Sequence, residues 1–294
     1  MSKAAHELST RPRLTGHPHL AAGSPMTTPV DPLSPPSPPT PPTPLSRLAA
    51  REDLGRICMV ATDVDGTLTR AGKLDPAALA AIWRLTVAGV SVVPVSGRPA
   101  GEVQGLVRYM PGVVRGLAEN GLVEIVPDHA PRWLSTPTDK HRLRAVGARL
   151  NDDFAAELRM TGDDYCRLGD VAYERDGRDE AELLRLRGHA EGLGVHLVWS
   201  NVHVHLAEAV PDKGVAVLQL LRELAIDPGR VATIGDAPND AGLFIAGRFG
   251  LTVGTADVTA QLAYFPAPPR AVTQGREAAG FVELAEVLLA ARGC

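Results

Sequence analysis

The sequence predicts an α/β fold: a three-layer, doubly wound parallel-sheet core with a smaller α/β cap domain inserted into it. From Arg56 onwards, short apolar strand patterns alternate with longer helical patterns, which is typical of a parallel sheet covered by helices on both faces. The apolar runs at residues 57–61 and 90–95 are partly β-branched, as expected for strands buried on both faces. Hairpin signals concentrate in the middle third of the chain and indicate the inserted domain.

The helices and strands follow one another in a regular order. After the first strand, Asp75 and Pro76 are typical N-cap and first-turn residues of a helix that ends near Gly89. The other predicted elements are, in chain order, a strand at 90–95, a helix at 102–109, a hairpin through 123–126, a helix at 139–150, a strand at 165–173, a helix at 180–192, strands at 195–200 and 202–207, a helix at 215–224, a strand at 231–234, a helix at 240–246, a strand at 251–253 and a helix at 277–292.

Residues 1–52 form a Pro-rich tail that we expect to be disordered. The stretch PLSPPSPPTPPTPL, residues 32–45, cannot form a helix or a central strand, because each proline lacks an N–H group. Such a segment samples extended polyproline II conformations. The segment fits a linker better than a ligand for a Pro-binding partner. It also fits an upstream extension of the translated sequence, with Met26 as a candidate internal start site. We assign it no chemistry.

Composition narrows the class of protein. A net charge of -4 gives no global electrostatic reason to bind nucleic acid or an anionic membrane, so we expect neither partner. The cysteines, Cys58, Cys166 and Cys294, are odd in number and scattered, which suits a reducing cytoplasm better than a disulfide framework. No apolar stretch approaches the roughly 20 residues that span a bilayer, and the N-terminus lacks the apolar core of a secretory signal. We expect a cytoplasmic monomer or homodimer.

The heptamer DVDGTLT, residues 63–69, places two carboxylates directly after the first apolar strand. Asp63 and Asp65 therefore lie where a central strand ends, and Gly66 allows the backbone to turn sharply there. In open parallel sheets, ligands bind at this edge. Taken alone, the heptamer is also compatible with an Asx-rich turn that caps a helix.

Three further motifs also place polar or charged residues at the end of a strand or at the start of a helix. VVPVSGR ends a second buried strand with Ser96, whose hydroxyl could bind an anion, although Ser-Gly also marks ordinary turns. Lys213 stands just before a helix, where a lysine is usually a solvated charge. IGDAPND, residues 234–240, puts two carboxylates and an amide into one turn, which could also be an acidic helix N-terminus.

Together the four motifs favour chemistry over ordinary turns. Pairs of acids that meet at one edge of a sheet repel each other unless a cation lies between them. Asp63 and Asp236 offer hard oxygens, which suit Mg²⁺. Lys213 and Ser96 would then form an anion site beside the metal. These are the parts that phosphoryl transfer requires, namely positioning and neutralisation of charge.

The set DVDGT, VSG, DKG and GDAPND resembles, in this order, the motifs of the haloacid dehalogenase superfamily of phosphatases. The resemblance covers roughly residues 56–294. It implies that Asp63 is the nucleophile that becomes an aspartyl phosphate, and that Asp65 is the general acid and base. It implies that Lys213 and Ser96 hold the phosphoryl group. The metal would be Mg²⁺, bound by Asp63, the main-chain carbonyl of Asp65, and Asp236, with Asp240 in support.

Motif spacing locates the inserted cap. The interval from Ser96 to Lys213 is far longer than one crossover connection needs. The surplus divides the chain after the tail into a first part of the core at 53–131, a cap at 132–209 and a second part of the core at 210–294. The cap resembles the α/β type IIB caps, and most closely the branch of the sucrose phosphatases and archaeal-type phosphoglycolate phosphatases.

The predicted substrate is a small phosphorylated metabolite, of the phosphoglycolate or sugar phosphate type. Arg98 stands where the phosphoglycolate enzymes would have an asparagine, so the choice of ester stays open. A phosphosugar mutase of the same fold and a non-catalytic phospho-ligand binding protein are the alternatives, although the intact pair of aspartates argues against the second. The residues that we expect to contact the substrate are Thr67, Ser96, Gly97, Arg98, Asn201 and Asn239.

Overall fold

The structure is a computed structural model, and it describes residues 41–50 and 54–294. Its largest sheet has six strands, and every pair of neighbours is parallel. Their spatial order is β1 (Thr43–Pro44), β14 (Ala271–Val272), β13 (Leu251–Gly254), β12 (Val231–Gly235), β2 (Met59–Thr62) and β5 (Ser91–Pro94). The sheet places the carboxyl ends of β2, β5 and β12 side by side, because these three strands are neighbours.

Helices cover both faces of this sheet. Along β2 the buried side chains alternate: Val60 belongs to one apolar core, whereas Met59 and Ala61 belong to another. This alternation is expected of a strand whose two faces are both covered. The first core is completed by α2 (Pro76–Val87), α3 (Ala100–Tyr109) and α8 (Ala278–Ala290), and the second by α6 (Lys213–Glu223) and α7 (Ala241–Phe244). The predicted three-layer α/β fold class is confirmed.

The middle of the chain forms a second α/β unit with its own core. Its sheet is antiparallel, in the order β10 (His196–Trp199), β11 (His203–Ala207) and β9 (Asp170–Glu174). The helices α4 (Lys140–Phe154) and α5 (Glu180–Gly192) pack on it through a separate apolar cluster. Leu143, Val146 and Leu150 supply the buried stripe of α4 at helical spacing. This unit is the inserted α/β cap.

Two short antiparallel sheets accompany the large sheet. A flap, β3 (Thr69–Arg70) and β4 (Lys73–Leu74), follows the first strand. A three-stranded sheet contains β6 (Gly116–Ala118), β7 (Val123–Ile125) and β8 (Arg132–Trp133). Residue 132, at which we expected the cap to begin, therefore lies in a strand that pairs with the hairpin before it, and the cap boundaries remain predictions.

The segment at 165–173, expected to be one strand, contains a strand only from Asp170 onwards. A short 3₁₀ turn, Asp164–Cys166, precedes it. The turn is stabilised by Arg167, because its guanidinium donates to the carboxylate of Asp163 on one side and to that of Asp170 on the other. These ion pairs of Arg167 thus take the place of the backbone hydrogen bonds that a strand would make with its neighbour.

The end of the Pro-rich tail differs from the expectation. Residues 43–49, which we assigned to a disordered tail, form β1 and the helix α1 (Leu45–Ala49). The Thr43 amide donates to the carbonyl of Arg270 at 3.0 Å, and Leu45 and Leu48 are buried in the main core. Two leucines one helical turn apart form an apolar face, so the packed part of the chain begins before residue 52. The rest of the predicted tail lies outside the described residues, apart from 41–42 and 50.

The helices of the described residues are short. The longest, α4, has 15 residues and an amphipathic pattern. Across residues 41–50 and 54–294, no helix combines the length and the apolar character needed to cross a bilayer.

Candidate active site

Asp63 follows β2 directly and occupies the carboxyl edge of the sheet. Its backbone N–H donates to the carbonyl of Ile234 in the neighbouring strand at 2.9 Å, and Asp63 is only 5% exposed. Gly66 adopts a φ of +82°, and a Cβ at this position would collide with the carboxylate of Asp236. Glycine is therefore required for two reasons, since the turn needs a left-handed backbone and the second acidic loop passes against it.

Lys213 is completely buried, so it is not a solvated surface charge. It is the first residue of α6, where the N-cap carboxylate of Asp212 accepts from the Val215 amide at 3.0 Å. Its Nζ donates to Asp63 Oδ1 at 2.5 Å and to Asp240 Oδ1 at 2.6 Å. Burial lowers the pKa of the ammonium, but attraction to Asp240 and Asp63 outweighs burial and raises the pKa above its usual value. The lysine is therefore charged and fixed beside Asp63.

The loop after β12 contributes the other carboxylates. Asp236 Oδ1 accepts from the Thr67 hydroxyl at 3.2 Å, and its Oδ2 accepts from the Asn201 amide at 2.6 Å. Asp240 accepts from the backbone amides of Asp236 and Ala237 through its Oδ2, at 2.9 and 3.0 Å. Asp240 therefore shapes the loop with one oxygen and holds Lys213 with the other.

Three buried carboxylates, those of Asp63, Asp236 and Asp240, each place an oxygen within 4.8 Å of the others. With Lys213 they form the catalytic cluster, which has three acids to one base. Burial, opposed by Lys213, raises the pKa of Asp63 to about 7. Burial, together with the neighbouring Asp63, also raises the pKa of Asp236 well above its ordinary value. An all-oxygen donor set in which three carboxylates surround a single ammonium fits a hard divalent cation such as Mg²⁺, which would favour the ionised carboxylates.

Asp65 points away from this cluster and towards Arg98. Its two carboxylate oxygens accept from Arg98 Nε and Nη2, both at 2.7 Å, and Nη1 of the same guanidinium donates to Glu102. Bidentate pairs of this kind fix both side chains. Arg98, predicted to contact the substrate, is thus engaged by two carboxylates, and a role in binding the leaving group remains a prediction.

Of the remaining predicted contacts, Gly97, Asn201 and Asn239 line one small cavity, whereas Ser96 and Thr67 are not among its lining residues. Ser96 is fully buried, and its hydroxyl accepts from the Arg98 amide at 3.1 Å. The Asn239 amide donates to Asn120 Oδ1 at 2.9 Å. Asn201 lies at the tip of a cap hairpin and reaches Asp236 in the core, so cap and core meet here. The cavity, of about 40 Å³, is lined by Asp63, Asp65, Gly97, Arg98, Ser200, Asn201, Val202, His203, His205, Ala237 and Asn239.

Several buried polar residues near the site were not assigned a role from the sequence. Glu119 accepts from the amides of Ala100 in the core and Leu168 in the cap, both at 2.9 Å. Glu119 and Asn120 are consecutive residues with φ of +54° and +56°. Such a conformation is rare for residues other than glycine and often marks functional positions. The segment LAENG is visible in the sequence, but neither its backbone geometry nor its partners are.

Curated relatives resemble the chain over most of its length. A phosphoglycolate phosphatase of Methanoculleus marisnigri is 33% identical over 202 residues, which are 67% of this chain and 84% of the relative. A phosphoglycolate phosphatase of Pyrobaculum neutrophilum is 31% identical over 240 residues, 80% of this chain and 97% of the relative. Both matches extend well beyond the short motifs.

Solved structures show the same fold at lower identity. A Thermoplasma acidophilum protein superposes with a TM-score of 0.63 at 20% identity, covering 79% of this chain and 99% of that one. A sugar phosphatase described as haloacid dehalogenase subclass IIB superposes with a TM-score of 0.55 at 11% identity, covering 78% and 96%. At these identities the likeness shows a shared fold, a parallel-sheet core with an inserted α/β unit. Residues 188–264 also match the sequence model of the haloacid dehalogenase-like hydrolases. With relatives more than 30% identical over most of their length, the chain belongs to the haloacid dehalogenase-like hydrolases and is a phosphatase of that family.

Proposed function

We propose that this phosphatase hydrolyses a small phosphomonoester, of the phosphoglycolate or sugar phosphate type, with Mg²⁺ and through an aspartyl phosphate on Asp63. The observation that carries the proposal is the catalytic cluster, in which a buried lysine holds Asp63 among two further carboxylates. A merely structural cluster would balance its charges, because unpaired buried charge is destabilising.

Asp63 is the proposed nucleophile. Its Oδ1 is fixed by Lys213, so the carboxylate has one orientation at the end of its strand. In the first step a carboxylate oxygen forms a bond to phosphorus while the bond to the alcohol oxygen breaks. Asp65, released from Arg98 and protonated, gives its proton to the departing alcohol. In the second step Asp65 takes a proton from water while the water oxygen bonds to phosphorus, and the bond from phosphorus to the Asp63 oxygen breaks, which releases phosphate and restores the Asp63 carboxylate. Nucleophilic catalysis divides one difficult displacement into two easier ones.

Residues around the proposed nucleophile bind the phosphoryl group. Lys213 supplies a permanent positive charge, and Ser96, Gly97 and Thr67 supply polar groups from the two turns beside it. Their part is to neutralise and orient the phosphoryl oxygens, which is most of what catalysis of phosphoryl transfer requires.

The residues that would hold Mg²⁺ are Asp63, Asp236 and the main-chain carbonyl of Asp65. Asp240 would support them, since both of its oxygens already accept hydrogen bonds from Lys213 and the loop backbone. When bound, the ion supplies positive charge that neutralises the phosphoryl group. Asp236 is kept in place for this by Thr67 and Asn201.

The small cavity supports a small leaving group. Its volume, about 40 Å³, favours a small substrate over a large one. The relatives named phosphoglycolate phosphatase agree with that size class. Asn201, Asn239 and Arg98 are the side chains that we propose for contacts with the leaving group, Arg98 after exchange of its present partners.

The test is the replacement Asp63→Asn. The variant should lose phosphate release by several orders of magnitude, as loss of an essential nucleophile does, while keeping its melting temperature within a few degrees. In the wild-type protein, acid quenching during turnover should leave a hydroxylamine-sensitive phosphate on the peptide that contains Asp63. Asp152→Asn, an exposed carboxylate outside the cavity, is the matched control. Substantial activity in Asp63→Asn, or a phosphate on another residue, would overturn the assignment.

A further inference from the structure

Glu119 joins the core to the cap through its side chain. It lies between β6 and β7 and is 0% exposed. Its Oε1 accepts from the amides of Ala100 and Leu168, both at 2.9 Å. Its Oε2 accepts from the amides of Gly169 and Asp170, the second at 3.2 Å. Ala100 begins α3 in the core, whereas the other three amides belong to the cap. One core carboxylate thus holds three consecutive cap amides.

Amide dipoles stabilise the charge of Glu119. Burial and the neighbouring Asp170 raise its pKa to about 7, and the backbone amides that it accepts from oppose this shift. Above that pH the carboxylate is ionised and can only accept, which matches the four N–H groups around it. The contact is close, since a Cβ on Gly169 would lie 3.2 Å from Glu119 Oε2 and 3.1 Å from the Cβ of Leu122.

The three cap amides lead directly into the cap sheet. In the ladder of β9 with β11, Asp170 pairs with Ala207 and Glu174 pairs with His203. A hydrogen-bonded ladder of five residue pairs is a rigid element that transmits position from one end to the other. Beyond the far end of this ladder, residues 200–203 line the small cavity of the active site. The place of this cap hairpin therefore depends on where β9 begins.

The turn that carries Ser96 is held by bonds that do not use the Glu119 side chain. The Ser96 amide donates to the carbonyl of Leu117 at 2.8 Å, and its carbonyl accepts from the Asn120 amide at 2.9 Å. The backbone amide of Glu119 donates to the carbonyl of Arg98 at 3.0 Å. Replacement of the carboxylate leaves these backbone bonds in place, so its loss should displace the cap more than the turn.

We propose that Glu119 is a positioning residue, which anchors the start of β9 and thereby sets the cap hairpin at 200–203 over Asp63. It acts through Asn201, whose amide donates to Asp236 in the core at 2.6 Å. The effect on turnover rests on the proposed function, because Asn201 and Asp236 belong to that site. The anchor itself can be measured without a substrate.

Amide hydrogen exchange at pH 8, where Glu119 is ionised, tests the anchor. Glu119→Gln keeps the size of the side chain but replaces one oxygen with an NH₂ group, so two backbone amides face a donor. Exchange at residues 168–170 should accelerate about tenfold or more. Glu283→Gln in α8 is the matched control, because Glu283 also accepts from two backbone amides, those of residues 274–275. It should accelerate exchange there and not at 168–170.

A double-mutant cycle between Glu119 and Asn201 tests how the anchor acts. The substrate is whichever of phosphoglycolate, glucose 6-phosphate and p-nitrophenyl phosphate the wild-type enzyme hydrolyses with the highest kcat/KM. Glu119→Gln alone should lower kcat/KM by about 10- to 100-fold, as a small misplacement near a reacting group does. In an Asn201→Ala background the same replacement should change kcat/KM by less than about threefold, because the contact through which Glu119 acts is already absent.

Gly169→Ala disturbs the same contact from the cap side and serves if Glu119→Gln folds poorly. It keeps the carboxylate but places a methyl group against it. The variant should show the same loss of kcat/KM and the same dependence on Asn201. Gly188→Ala in α5 is its control, since a Cβ there meets open space, and it should keep the wild-type kcat/KM.

The outcomes separate this proposal from the proposed function. Wild-type exchange rates at 168–170 in Glu119→Gln would overturn the anchor. A loss of kcat/KM as large in the Asn201→Ala background as in the wild-type background would also overturn the proposal, because Glu119 would then only support the fold. No phosphate release from any of the three esters by the wild-type protein would instead refute the proposed function, and the exchange rates would still decide whether the anchor exists.

Discussion

Two buried charged clusters in this molecule differ in how their charges balance. The catalytic cluster has the carboxylates of Asp63, Asp236 and Asp240 around a single ammonium. The second cluster, at the seam between cap and core, is the pair Arg167 and Asp170 with the neutral His205, whose pKa is lowered by burial; we call it the seam cluster. Arg167 and Asp170 balance each other, with side chains 0% and 1% exposed, and the guanidinium also pairs with Asp163, whose side chain is 17% exposed. In the catalytic cluster the carboxylates outnumber the cation by two, whereas the fully buried part of the seam cluster has one carboxylate to one cation.

We relate this difference in charge balance to a difference in role: chemistry for the catalytic cluster and positioning for the seam cluster. Buried charge that is not balanced is costly, and it is kept where a ligand completes it. Balanced charge can instead act as a rigid connection. Arg167 Nη1 donates to the carbonyl of Gly97 at 3.0 Å, so the seam cluster holds the turn that carries Ser96. We therefore propose that a cation and a substrate complete the catalytic cluster, whereas the seam cluster stabilises the position of the turn that carries Ser96.

Removal of divalent metal should have the largest effect, and only on the catalytic cluster. Phosphate release should vanish in EDTA and return with Mg²⁺, whereas Ca²⁺ should restore it poorly, since the larger ion accepts looser geometry. The seam cluster needs no ion, so the far-ultraviolet circular dichroism spectrum should not change in EDTA. Full turnover in a metal-free preparation would contradict the distinction between the two clusters.

Breaking the seam cluster should affect folding first. Arg167→Met leaves Asp170 buried without its cation, and we expect a loss of about 3–5 kcal/mol in the free energy of unfolding, measured by urea denaturation. Arg159→Met is the matched control: Arg159 also pairs with an aspartate, Asp176, but its side chain is 69% exposed. Solvent screens an exposed pair of this kind, so its loss should change the free energy of unfolding far less. Equal losses in the two variants would show that burial of the seam does not matter.

The smallest effect should come from the Pro-rich tail, which belongs to neither cluster. Deletion of residues 1–40 should leave turnover and the melting temperature nearly unchanged, because its composition cannot bury a core. Deletion of residues 1–52 also removes Leu45 and Leu48, and it should lower the melting temperature clearly. Thermal unfolding of the two truncations measures the contrast. Equal melting temperatures would mean that β1 and α1 contribute nothing to stability.

Much of the fold could be predicted because its strands and helices differ in periodicity. The strand that precedes Asp63 and the one that precedes Asp236 are short apolar runs, and each ends at a turn of polar residues. Parallel topology then requires those turns to meet at one edge. The structure brings Asp63, Lys213, Asp236 and Asp240 together in this way.

What could not be predicted depends on register and on side-chain choice. His205 reaches Asp170 because β11 pairs with β9 so that His205 faces Ala172 and Ala207 faces Asp170. No local pattern specifies that pairing over such a sequence separation. Arg98 could have bound a substrate or a carboxylate of its own chain, and sequence alone does not decide between them. In the structure the Asp65 carboxylate accepts hydrogen bonds from the Arg98 guanidinium.

The most direct test of the excess negative charge is a calorimetric titration of Mg²⁺ into metal-free protein. We expect wild-type protein and the control Asp152→Asn to bind one ion with a heat signal. Asp236→Asn should lose that signal, because it removes a proposed ligand and one of the three carboxylates of the cluster. Binding of equal strength in Asp236→Asn, or no binding to the wild-type protein, would contradict the account of the catalytic cluster.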